Sequence, residues 1–107
     1  MKELRPVPHP RRIKSKALTD SARGKSCTLR LRDCEPNDET VCFCHVRINS
    51  GTGTKPPDFF GFYGCRACHR KQEIGFAPHY EILRAVLETQ TIMASEGLLT
   101  VKGWSPR

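Results

Sequence analysis

The chain has 107 residues, a formal net charge of +7 and six cysteines. That length supports one small domain with a modest core, a size at which a structural metal often makes up the deficit. No stretch approaches the roughly 20 apolar residues of a membrane-spanning helix. The Gly-x4-Gly-Lys-Ser/Thr spacing of a P-loop is also missing, so neither membrane-spanning nor P-loop functions fit.

The positive charge is concentrated at the start. Residues 1–26 hold eight Lys or Arg against two acids, whereas residues 27–107 hold ten against nine. The same first segment holds Pro6, Pro8 and Pro10 and little apolar material. The expectation is a basic flexible arm over 1–17, a folded domain over 18–103 and a short tail over 104–107. Arms of this kind lie along phosphate backbones. No apolar run resembles a signal peptide, which points to a reducing, cytoplasmic compartment and to metal rather than disulfides for the cysteines.

Residues 18–26 predict a short helix or turn. Cys27 and Cys34 then bracket a six-residue loop, and 35–40 form a polar turn. Residues 41–47 predict a strand, on which Cys42 and Cys44 share one face and Phe43, His45 and Arg47 the other. Gly and Pro make 48–58 a loop, and 59–63 predict a second strand. A Cys65-x2-Cys68 turn leads into a helix over 67–73, stopped by Gly75. A longer helix over 78–96 has Pro78 in its first turn and Gly97 after its end. Its apolar face comprises Tyr80, Leu83, Leu87 and Ala94, with Ile82, Val86 and Met93 alongside.

Two cysteines separated by two residues present both thiolates from one turn, half of a tetrahedral metal site. The preferred quartet for a structural zinc is Cys27, Cys34, Cys65 and Cys68. His69 directly follows the second pair and leaves the turn in another direction; a site of three cysteines and this histidine is the alternative. Cys42 and Cys44 read as small buried side chains. The order of half-site, strand with His45, loop, strand, half-site and helix with His69 can bring two imidazoles to one cleft. Phosphodiester hydrolysis needs such groups: imidazole takes a proton near neutral pH, and a divalent cation stabilises charge on phosphate.

Cys-x2-Cys-His-x-Lys at a helix start, with His45 on the preceding strand, resembles the ββα-metal (HNH) nucleases. The chain is similar more closely to the YbcO-type nucleases of lambdoid prophages. The shared residues are Ala22-Arg23-Gly24-Lys25-Ser26-Cys27, His45-Val46-Arg47, Gly51-Thr52-Gly53-Thr54-Lys55-Pro56-Pro57-Asp58 and Cys65 to His69. The resemblance implies an α+β ββα-metal domain with a four-cysteine zinc knuckle and a C-terminal helix, in a bacterial host. It implies a metal-dependent DNA endonuclease with His45 as general base. His69 and Asp58 would bind a catalytic Mg, Mn or other divalent cation, and Arg47 would contact phosphate. Cys44 stands where many HNH proteins carry a further ligand, and Asp58 or Asn49 would replace the middle Asn. Arg11, Arg12, Lys14, Lys16, Arg23, Lys25, Lys55, Arg70 and Lys71 are candidates for backbone contact. Two further readings remain: a zinc-stabilised nucleic-acid-binding module without cleavage, and a partner of phage recombination proteins.

Overall fold

A computed structural model describes residues 13–35, 38–46 and 56–106. The protein is a small α+β unit. Helix α1 (Lys16–Asp20) precedes the cysteine loop, and a single 3-10 turn (Asp38–Thr40) precedes strand β1 (Cys42–His45). Strand β2 (Gly61–Gly64), helix α2 (Arg66–Glu73) and helix α3 (His79–Ser95) follow. The strands pair antiparallel, with Cys42 opposite Gly64 and His45 opposite Gly61.

Local sequence explains the boundaries. Ser15 caps α1 by accepting the Leu18 N–H at 3.2 Å, and Leu18 is buried. Cys65 caps α2 through its sulfur, which accepts the Cys68 N–H. Gly75 and Gly97 adopt φ of 80° and 77° just past α2 and α3, a conformation in which glycine carries no Cβ penalty. Phe59 and Phe60, expected in the second strand, form a turn instead, with the Phe60 N–H donating to the Pro57 carbonyl at 2.9 Å.

A two-stranded sheet is marginal by itself; here the rest of the chain covers it. Phe62, Tyr63, Leu29, Cys44 and Met93 are all essentially inaccessible. The Thr28 N–H donates to the Tyr63 carbonyl at 2.7 Å, so the cysteine loop lies along β2. The Tyr63 N–H faces the hydroxyls of Thr28 and Thr89, each at 3.2 Å, and those two hydroxyls are 2.9 Å apart. Loop, strand and α3 thus meet in one buried polar knot. Arg84 of α3 reinforces it, donating to the carbonyls of Thr28 (2.9 Å) and Leu29 (2.6 Å). Glu88 accepts from Arg30 and Arg84, and these contacts, Arg30's foremost, hold its carboxyl below its ordinary value.

The buried face of α3 differs from the expected one. It consists of Ile82, Ala85, Val86, Thr89 and Met93, while Tyr80, Leu83 and Leu87 are exposed. The polar Thr89 marks the centre of contact because β2 offers it an N–H. A count of apolar residues alone therefore rotates the helix towards the wrong stripe.

Thr89→Val keeps shape but removes one partner from both Thr28 and Tyr63. We expect a loss of about 1 kcal/mol, measured by urea unfolding. An unchanged midpoint would show that the knot contributes nothing.

Candidate metal centre and catalytic pair

All six cysteines are free thiols. The sulfurs of Cys27, Cys34, Cys65 and Cys68 lie within 4.8 Å of one another. Cys34 and Cys65 sulfurs are 3.7 Å apart, and a tetrahedron with zinc–sulfur bonds of about 2.3 Å has edges of about 3.8 Å. Backbone N–H groups also aim at the sulfurs: Arg30 at Cys27 (3.5 Å), Leu31 at Cys68 (3.4 Å), and Glu35 and Cys68 at Cys65 (3.4 Å each). Such donors favour thiolate over thiol. Arg30 takes a φ of 47° to complete its turn around Cys27. The quartet can therefore hold a metal ion such as zinc.

Charge crowding explains what an ion would do here. Burial and the neighbouring Cys27 and Cys65 push the Cys34 thiol up to about 12. Burial likewise raises Cys68. At Cys65 burial opposes ionisation, but the Cys68 and Glu35 N–H groups outweigh it and carry that thiol below its usual value. Four thiolates in so small a space require a cation.

The second feature is a histidine–carboxylate pair. His45 Nε2 lies 2.8 Å from Asp58 Oδ1. Asp58 is buried, at 6% exposure, and its other oxygen accepts the Ser15 N–H at 2.7 Å. The Asp58 N–H donates to the Ile13 carbonyl at 3.0 Å, and Gln90 of α3 holds the next carbonyl, that of Phe59, at 2.8 Å. On the imidazole side, Gln72 of α2 donates to the His45 carbonyl at 3.3 Å, and the Phe43 ring meets the imidazole edge-on at a centroid distance of 5.0 Å. A Cβ at Gly61, opposite His45, would run into the Cys44 carbonyl and the Phe43 ring. A carboxylate at Nε2 favours the tautomer with its proton on that nitrogen and makes Nδ1 the acceptor nitrogen of the ring.

The strand faces are as the alternation predicts: the Cys42 and Cys44 sulfurs are 3.9 Å apart on one side, and Phe43 stacks with His45 on the other. His69 belongs with the thiols. It forms a group with Cys42 and Cys44, and its Nε2 lies 3.1 Å from Glu73 Oε1. The structure thus brings His45 to Asp58, and gives His69 different neighbours. Cys44 is buried as expected, but Cys42 is exposed. The Cys44 thiol, hydrogen-bonded to Cys42, and then His69 draw Cys42 down to about 6; the same contact and burial push Cys44 up.

Of the candidate phosphate-contacting residues, Lys16, Lys25 and Lys71 form ion pairs with Asp20, Glu96 and Asp33. Lys14, Arg23 and Arg70 are exposed. Arg11, Arg12, Arg47, Asn49 and Lys55, with the basic segment up to residue 12, lie outside the described residues. Among the described residues no helix is long and apolar enough to cross a membrane. The sequence reading did not find the Ser15 and Ile13 contacts, which join residues more than 40 positions apart. The His69–Glu73 pair did have a signal, the four-residue spacing of one helix face.

The family described as "Putative nuclease YbcO" matches residues 16–98. The chain belongs to the YbcO family. Two relatives described as "Putative nuclease YbcO", one from Escherichia coli K12 and one from Enterobacteria phage 82, are each 36% identical over 93 residues, 77% of this chain and 95% of theirs. A solved structure of "a putative bacteriophage protein" from Escherichia coli K-12 is 31% identical, with a TM-score of 0.61 over 74% of this chain and 98% of that one. The match to the YbcO family begins at the first residue of α1 and ends three residues beyond α3.

Metal removal tests the quartet. Structural zinc contributes on the order of 10 kcal/mol in small domains, as much as a whole domain's stability. A strong chelator under reducing conditions should therefore unfold the protein, read as loss of the far-ultraviolet circular dichroism of α2 and α3. A metal-free chain with an unchanged spectrum and melting midpoint would contradict the assignment.

Proposed function

We propose that the protein is an HNH-type endonuclease that hydrolyses DNA phosphodiester bonds with His45 as general base. The observation that carries this reading is the His45–Asp58 pair. An imidazole at the end of a strand is oriented by a buried carboxylate, which is itself fixed by the Ser15 N–H. The names carried by the family and its relatives support the reaction class, and the hairpin followed by α2 supports the ββα-metal likeness.

In the proposed step, a water oxygen forms a bond to phosphorus as its proton passes to His45 Nδ1. The bond to the leaving oxygen breaks, and that oxygen takes a proton from solvent. Asp58 keeps the Nε2–H tautomer and stabilises the imidazolium, a role carboxylates fill beside catalytic histidines. A divalent cation would polarise the phosphate and neutralise the leaving oxygen. The resemblance gives that cation to His69 and Asp58, which have other neighbours in the structure. Both Asp58 oxygens have partners, and His69 stands with two thiols. The step is therefore built from protein groups. Arg47, Arg70 and Lys71 are proposed to contact phosphate.

His45→Ala should lower nicking of supercoiled plasmid by roughly 10²–10⁴-fold, in magnesium, manganese or nickel, while leaving DNA binding intact. Equal nicking by both proteins would contradict the reading. Binding without nicking by the wild type would favour a second reading, a zinc-stabilised nucleic-acid-binding module. The grouping of His69 with Cys42 and Cys44, while Asp58 pairs with His45, is the observation on that reading's side.

The basic N-terminal residues are proposed to add affinity without sequence preference. Residues 1–12 contain four Lys or Arg. Their removal, which spares Ile13 and Ser15, should weaken binding and reduce the slope of log affinity against log salt by up to about 3.6. An unchanged slope would exclude the role.

A further inference from the structure

We infer that Cys42, Cys44 and His69 form a second metal site, separate from the four-cysteine centre, that takes a thiophilic divalent ion such as zinc and leaves a coordination position open to solvent. The inference stands apart from the proposed cleavage and requires no catalytic activity.

The first support is geometric. The donor atoms of the three residues lie within 4.8 Å of one another. The Cys42 and Cys44 sulfurs are 3.9 Å apart, close to the edge of about 3.8 Å expected for a tetrahedral zinc site. A Cys-x-Cys pair on a strand presents both sulfurs to the same side. The ion would join that side of β1 to α2.

A second support is that β2 makes room for the sulfur. Gly64 faces this pair, and a Cβ there would lie 2.9 Å from the Cys44 sulfur and 2.8 Å from the Phe62 ring. Any larger residue would displace the thiol from the group.

The third is the hydrogen bond behind the histidine. Glu73 Oε1 lies 3.1 Å from His69 Nε2. A metal-bound histidine typically donates its other ring N–H to a carboxylate, which fixes the tautomer and strengthens the ligand. With Nε2 engaged by Glu73, Nδ1 is the nitrogen left for the ion.

The donor set decides the class of ion. Two thiolates and an imidazole select zinc or a similar soft ion over magnesium or calcium, which prefer oxygen. Exposure decides the type of site. Cys42 is exposed and His69 half-buried, whereas three of the four quartet cysteines are buried. Three protein ligands at a solvent-facing position leave the fourth to water or another small ligand, unlike a closed four-cysteine centre.

Zinc stoichiometry tests the proposal. The full chain, produced in zinc-supplemented medium and purified under a phosphine reductant, should contain two zinc ions. Cys42→Ser and His69→Ala should each contain one, with unchanged circular dichroism because the quartet is intact. Cys42 is exposed and serine nearly isosteric, and His69→Ala acts on a different element, so either variant reports if the other folds poorly. Gentle chelation followed by cobalt should give sulfur-to-cobalt charge-transfer absorption in the wild type, absent from Cys42→Ser. Glu73→Gln should still reach two ions at saturation, but bind the second roughly 10–100-fold more weakly against a chromophoric chelator. One zinc in the wild type, or two retained by either ligand variant, would overturn the site. Unchanged affinity in Glu73→Gln would overturn the carboxylate's part in it.

Discussion

The structure depends on four sulfurs converging from two distant segments. Cys27 and Cys34 come from the loop after α1, and Cys65 and Cys68 from the start of α2. Their proximity fixes that loop along β2, where Thr28 can bond to Tyr63. It also fixes the start of α2, because the capping residue Cys65 is itself one of the four. A sheet of two four-residue strands has too little apolar area to hold these pieces alone. Bringing the ends of so long a loop together costs chain entropy, and a metal ion held at the convergence would offset that cost.

The candidate catalytic pair follows from the same constraint. His45 ends β1, and its carbonyl is held by Gln72 of α2. The turn containing Asp58 is held by Ser15 and Ile13 on one side and Gln90 of α3 on the other. Three segments, residues 13–15, α2 and α3, thus hold the two side chains, and the quartet ties α2 to the loop along β2. A buried carboxylate needs such partners, since an unpaired charge at that depth is strongly unfavourable. The pairing that satisfies Asp58 also sets the tautomer of His45.

Much of this was legible in the residues because its signals are local. The spacing around Cys65 and Cys68, the alternation along 42–45, and Gly75 and Gly97 each act within a few positions. They located α2, β1 and the ends of both later helices. The quartet was legible because few combinations of half-sites are possible in a chain with six cysteines. Other features had no local signal. The buried stripe of α3 is set by the Thr89–Tyr63 contact rather than by hydrophobicity. Asp58 read as a ligand because it opens the expected second strand and carries the negative charge a hard cation prefers; its hydrogen bonds with residues 13 and 15 depend on tertiary packing. His69 was read against His45 in sequence order, whereas strand alternation and the helix position set it beside Cys42 and Cys44.

The central claim is that Asp58 holds His45 with its proton on Nε2, the tautomer that the proposed role of Nδ1 requires. Long-range nitrogen–proton correlation spectra of the histidine rings test this directly in the zinc-loaded protein above the imidazole titration. The account predicts that His45 is the Nε2–H tautomer, and that Asp58→Asn shifts its ring signals and weakens that preference. A His45 ring with its proton on Nδ1, or one whose signals are unaltered by Asp58→Asn, would contradict it.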